Sequence, residues 1–141
     1  MAEVPVGIEQ TLRVVRMLHS MMFAGAVLYI VVEVYTARSF AQPLNPTFFW
    51  SITGVATGCF FAAFLVRAKK VQTAIETLGA QPDDAVALKN WRVGTILSLV
   101  ALECVMFFGT ELYVRGATQT QVALFFILPI LTMVLWFPKR P

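Results

Sequence analysis

The chain has 141 residues, 58% of them hydrophobic and 13% charged, with a mean hydropathy of +0.74. A soluble domain carries about twice that charged fraction, so water is excluded as the solvent for most of this surface. The formal net charge of +3 comes from residues on the flanks of apolar runs, which form no patch and argue against a nucleic-acid partner.

Residues 1–12 are short and mixed, with Pro5 suited to an early helix turn, and are expected at the membrane interface. Arg13 and Arg16 then precede a first span, Met17–Tyr35. Its Ala24-Gly25-Ala26 triplet resembles a signal-peptide cleavage site, but the apolar run continues through Val32, so a retained span is expected. The connection Thr36–Pro46 contains Pro43 and Asn45 and reads as irregular. A second span, Thr47–Val66, carries Gly54 and Gly58 in a GxxxG pair extended by Ala62, the spacing that allows close helix approach.

The next connection keeps helical character. Val71, Ala74, Ile75 and Leu78 fall on one face of Ala68–Leu78, and Gly79 is a natural stop. Pro82, Asp83 and Asp84 form a new helix start, with acids at the positive end of the dipole. Spans two and three are therefore expected to continue beyond the bilayer as a helical hairpin, residues 67–92, protruding about 15 Å. It is either a solvated connector or a docking site for a partner. The third span, Val93–Val114, is followed by a very short turn, Arg115–Thr120. The fourth, Val122–Phe137, is short and needs snorkelling by Lys139 and Arg140 or local thinning; Pro129 is expected to bend it and free a carbonyl.

Four runs of about 20 residues predict an all-α, polytopic, four-helix transmembrane bundle forming a single domain. Nine basic residues flank one side of the spans: Arg13, Arg16, Arg67, Lys69, Lys70, Lys89, Arg92, Lys139 and Arg140. Only two, Arg38 and Arg115, flank the other. That asymmetry predicts that both termini and the hairpin are cytoplasmic, in a bacterial inner membrane or a plasma membrane. Trp91 and Trp136 fall at the predicted inner interface, and Tyr35, Trp50 and Tyr113 at the outer one. Cys59 and Cys104 lie inside spans, where they read as small buried apolar residues. A faint internal repeat matches Ser20, Glu33-Val34-Tyr35, Arg38 and Phe48-Phe49 to Ser98, Glu111-Leu112-Tyr113, Arg115 and Phe125-Phe126, at spacings of 78 and then 77 residues. Read as ancestry, it makes the chain two parallel hairpins.

The chemistry-bearing residue is Glu103, about twelve residues, ~18 Å, from the nearest end of its segment. An acid at that depth is a functional-site candidate by default. No Lys or Arg lies within any apolar run, so Glu103 is expected to be protonated, donating a hydrogen bond to Thr57 at a similar depth or to a backbone carbonyl. Two roles stay open: a neutral acid that glues helices together, and a reversible proton or cation carrier. His19, Ser20, Ser98 and Thr132 share a shallower layer, and Glu33 and Glu111 lie near the outer interface beside Arg38 and Arg115. A single His makes no metal site or paired haem ligation. No nucleophile–base pair, phosphate loop or Cys–His set is present, so no enzyme, cofactor or metal is expected.

The central hairpin, residues 46–114, resembles the c-type proteolipid of rotary ATP synthases. The resemblance rests on Gly54-Gly58-Ala62 in one helix, a polar connection at Arg67–Trp91, and Glu103 followed by Gly109 in the next. It implies that Glu103 carries the ion. The chain departs from the family in having one GxxxG in place of a long glycine ladder, no compact polar loop motif, and two flanking spans. The favoured expectation is an accessory or interaction subunit that meets lipid and other membrane subunits or copies of itself. The alternative is an ion-translocating protein using Glu103.

Overall fold

The computed structural model describes residues 6–36 and 44–138, with side chains of the first helix described over 8–31. Pro5, Arg38, Pro43, Lys139 and Arg140 lie outside the described residues, as do the side chains of Glu33 and Tyr35. Every regular element among the described residues is helical: α1 (Val6–Thr36), α2 (Pro46–Val66), a π-helical stretch (Arg67–Gln72), α3 (Thr73–Ala80), α4 (Ala85–Val114) and α5 (Gln119–Leu135). Residues 6–12 thus belong to the first helix and form no separate interfacial segment.

Short polar side chains start the later helices. Asn45 Oδ1 accepts from the Thr47 and Phe48 amides at 2.9 and 3.4 Å, with Pro46 in the first turn. Asp84 Oδ1 accepts from Val86 and Ala87, both at 2.8 Å, so the expected restart at the Pro-Asp-Asp sequence is where α4 begins. Thr118 and Gln121 form a reciprocal capping box at α5, after a turn in which Gly116 takes φ 101°. The stop before α4 differs from expectation. Gly79 lies inside α3, which ends at Ala80. Gln81 turns out of the helix because it precedes Pro82, whose ring disfavours the α conformation one residue upstream.

Among the described residues three helices are long and apolar enough to cross a membrane: α1, the continuous path Pro46–Ala80, and α4. The fourth, α5, is apolar but has 17 residues, about 25 Å of helix against a hydrocarbon core of about 30 Å. The 30-residue α4 spans about 45 Å and so extends roughly 15 Å past such a core.

Helix α4 is the centre of the bundle. It packs against α1, α2, the π stretch, α3 and α5. Its buried residues include Gly94, Thr95, Ser98, Leu99, Leu102, Met106, Gly109 and Leu112, whereas α2 buries only Ala56 and Ala63. The Gly54, Gly58 and Ala62 face does not serve the packing expected of it. All three residues are exposed, and a Cβ added at either glycine would meet nothing within 4 Å. Close approach occurs instead at α4. A Cβ on Gly94 would lie 2.8 Å from Lys70 Cβ and 2.9 Å from Val71 Cγ2, and one on Gly109 would lie 2.6 Å from Phe125 Cβ.

The hairpin of residues 67–92 has its own core. Ile8, Leu12 and Val15 of α1 cluster with Val71, Ala74, Leu78, Ala87 and Trp91, and with half-buried Ile75. The hairpin's apolar face is therefore covered by the start of the chain's own first helix. Trp91, 2% exposed, is a core residue here and not an interfacial anchor, while Trp50 at the opposite end is 69% exposed. Cys59 and Cys104 are free and half-buried, less enclosed than expected. The repeat is not matched by equal packing, since Ser20 is exposed and Ser98 fully buried.

Gly94→Leu should force α4 off the π stretch and lower stability by about 1–3 kcal/mol. Gly54→Ala, which meets open space, should be neutral or slightly stabilising. Thermal unfolding of the detergent-solubilised variants, followed by tryptophan fluorescence, checks both.

Candidate functional site

Glu103 occupies the middle of α4, on the side turned towards α1. It is half-buried and lines an open cleft of about 280 Å³ together with Gly25, Ala26, Tyr29, Met106 and Phe107. The small residues of the Ala24-Gly25-Ala26 triplet leave the room: Gly25 has no heavy atom within 4 Å of where a Cβ would sit. Apart from the Tyr29 phenol, the other lining side chains are apolar. Among the described residues Glu103 has no hydrogen-bond or ion-pair partner.

Thr57 is elsewhere. It lines a different cavity, about 320 Å³, with Thr53, Phe61 and Leu128 on the α2/α5 side of the bundle. Its hydroxyl donates to the Thr53 carbonyl at 2.8 Å. Equal depth along the spans thus brings Glu103 and Thr57 to the same level but not to one site. The reason is helical phase: residues at one height can face different neighbours.

Of the shallower layer, His19, Ser98 and Thr132 are buried and Ser20 is exposed. Ser98 and Thr132 are 0% and 7% exposed, and each donates within its own helix, Ser98 to Thr95 at 2.9 Å and Thr132 to Leu128 at 2.7 Å. His19 is 2% exposed and packs edge-on to Phe137, with ring centroids 5.2 Å apart. Its Nδ1 is the one buried side-chain nitrogen or oxygen lacking a hydrogen-bond partner among the described residues. No group of three or more His, Cys, Asp or Glu among the described residues is placed to hold a metal ion.

Glu111 forms a local pair. Arg115 Nε donates to Glu111 Oε1 at 2.6 Å, and the same guanidinium lies over the Phe48 ring, 4.7 Å from its centroid. This ties the end of α4 to the start of α2. The Glu33 side chain lies outside the described residues, so the expected partner pair in the first half has no structural account.

One cation escaped the sequence reading as anything but a topology signal. Arg67 is half-buried at the start of the π stretch, its guanidinium 4.6 Å from the centre of the Trp136 ring. The available signal was its place at the end of an apolar run with no acid within one helical turn. Comparison with protein-family models, with characterised proteins and with solved structures finds no match for the chain.

Glu111→Gln removes an exposed i,i+4 pair, and such pairs contribute little. The variant should lose no more than about 0.5 kcal/mol in thermal unfolding.

Proposed function

We propose that this small integral membrane protein is an interaction subunit of a larger membrane assembly, and that its partner enters the cleft between α1 and α4. The observation that carries this reading is Glu103. A carboxyl at mid-helix, opening to the outside of the bundle and unpaired among the described residues, is matched by a polar group from elsewhere. A protonated acid satisfies that need by donating one hydrogen bond to a partner's carbonyl or hydroxyl. Hydrogen bonds of this type between membrane helices contribute about 0.6–2 kcal/mol each. The exposed Gly54, Gly58 and Ala62 face of α2 offers a second lateral contact, since no described helix occupies it.

The same placement favours a second reading, reversible proton or cation carriage by Glu103. A carrier must exchange its ion with something outside its own bundle, and a closed, hydrogen-bonded acid does so poorly. The resemblance of residues 46–114 to the c-type proteolipid supports this reading as well.

Two substitutions at one position separate them. Glu103→Leu abolishes hydrogen bonding, and Glu103→Gln keeps it while removing the exchangeable proton. Under the interaction reading, native gel electrophoresis of membranes should show the assembly lost in Glu103→Leu and kept in Glu103→Gln, with no proton flux by wild-type protein in vesicles. Under the carrier reading, Glu103→Gln should assemble normally while proton flux falls to background. An assembly indifferent to Glu103→Leu, with no flux in wild type, would sink both.

A further inference from the structure

The end of the bundle that carries most of the basic residues contains a cavity unrelated to Glu103. It has a volume of about 310 Å³ and lies where the π stretch, the start of α4 and the end of α5 meet. Arg67 and Val71 contribute one wall, Trp91 and Thr95 another, Trp136 and Phe137 a third. Among the described residues no carboxylate lines it.

We propose that this cavity is a phosphate-binding site in which the Arg67 guanidinium holds the anion. Among the described residues no carboxylate lies within 4 Å of Arg67, and its side chain donates no hydrogen bond. Its contact with the face of Trp136 orients the guanidinium but uses none of its five in-plane N–H donors. A half-buried cation in this condition is matched by an anion with several oxygens, and the planar fork of Arg suits phosphate. Thr95 Oγ1, engaged as a donor to the Trp91 carbonyl at 2.8 Å, keeps its acceptor capacity for a protonated or hydrated phosphate oxygen.

The backbone makes room for the group. Arg67 and Val71 both belong to the π-helical stretch, an irregularity that recurs at functional sites. Gly94 lets α4 press against Lys70 and Val71, which fixes the stretch beside the cavity. Edge-on to the Phe137 ring lies His19, whose Nδ1 has no hydrogen-bond partner among the described residues. The apolar remainder, Val71 and Phe137, suits the glycerol and upper acyl region of a phospholipid, and basic pockets between spans are a known setting for lipid headgroups. A soluble phosphate presents the same anion.

The test uses full-length protein carrying Trp50→Phe, so that Trp91 and Trp136 report from the cavity. Vesicles contain phosphatidylcholine with either brominated phosphatidylglycerol or brominated phosphatidylcholine, and quenching gives relative affinity. The anionic lipid should be preferred by about fivefold, the effect of one basic residue near the surface. Arg67→Gln should remove the preference, while Lys69→Gln should leave most of it. Inorganic phosphate at constant ionic strength should displace the lipid if soluble phosphate is the occupant, and leave it in place if lipid is; both results keep the site. Should Arg67→Gln fail to fold, Arg67→Lys keeps the charge and loses the fork, and the preference should at least halve. Equal quenching by both lipids in wild type, or a preference unchanged by either Arg67 substitution, would overturn the proposal.

Discussion

The approach of α4 to its neighbours at Gly94 and Gly109 is the constraint on which the bundle depends. A side chain at Gly94 would collide with Lys70 and Val71, and one at Gly109 with the root of Phe125. In lipid the driving force between helices is packing and hydrogen bonding, because the tails are as apolar as leucine. Close backbone approach at two points therefore holds α2 with its π stretch on one side and α5 on another. The hydroxyls that accompany the glycines do not disturb this. Thr95, Ser98 and Thr110 each return a hydrogen bond to a carbonyl of α4 itself, at 2.8, 2.9 and 3.2 Å.

At the end of the bundle where α1 begins, the packing changes from glycine contacts to a small apolar core of Ile8, Leu12, Val15, Val71, Ala74, Leu78 and Trp91. This explains why α1 starts as early as Val6 and why Trp91 is enclosed. It also removes the hairpin's apolar face as a docking surface, because α1 already lies on it.

Much of the fold was legible in the sequence where one local rule decides the outcome. Asp84 caps α4 because a short acceptor before an apolar run has few other uses, and the Val71, Ala74, Ile75, Leu78 face is buried because its period is helical. Rules that depend on a neighbour's identity were legible only in part. GxxxG at Gly54 and Gly58 states that a helix permits close approach, not that a helix of the same chain takes it. The effective small residues, Gly94 with Ser98 and Gly109, sit singly or in a looser small-xxx-small pair amid bulky residues, a weaker signal. Glu103 was visible as an acid in an apolar run, but its pairing with Thr57 was inferred from depth alone. Depth is one coordinate of a cylinder, and the angle around it decides which helix a side chain meets.

The polar groups of the bundle divide by what they can do unaided. A Ser or Thr hydroxyl in a helix finds an acceptor one turn back and needs nothing else. Glu103 carries a carboxyl that makes no hydrogen bond to any described residue, although the Tyr29 phenol of α1 lines the same cleft. Arg67 has more donors than any single carbonyl can use, and its contact with the Trp136 ring, 4.6 Å from guanidinium carbon to ring centre, satisfies none of them as a hydrogen bond. These two residues lie at opposite ends of the problem: one is an acid near the middle of a span, the other a cation where a span ends. Each borders a cavity, each lacks an opposite charge among the described residues, and they lie on separate walls of the molecule. A long-range pairing between them is thus not the solution this fold adopts. Among the described residues both are left unmatched while every buried hydroxyl has a partner, and that contrast singles out the two cavities from the packed centre of α4.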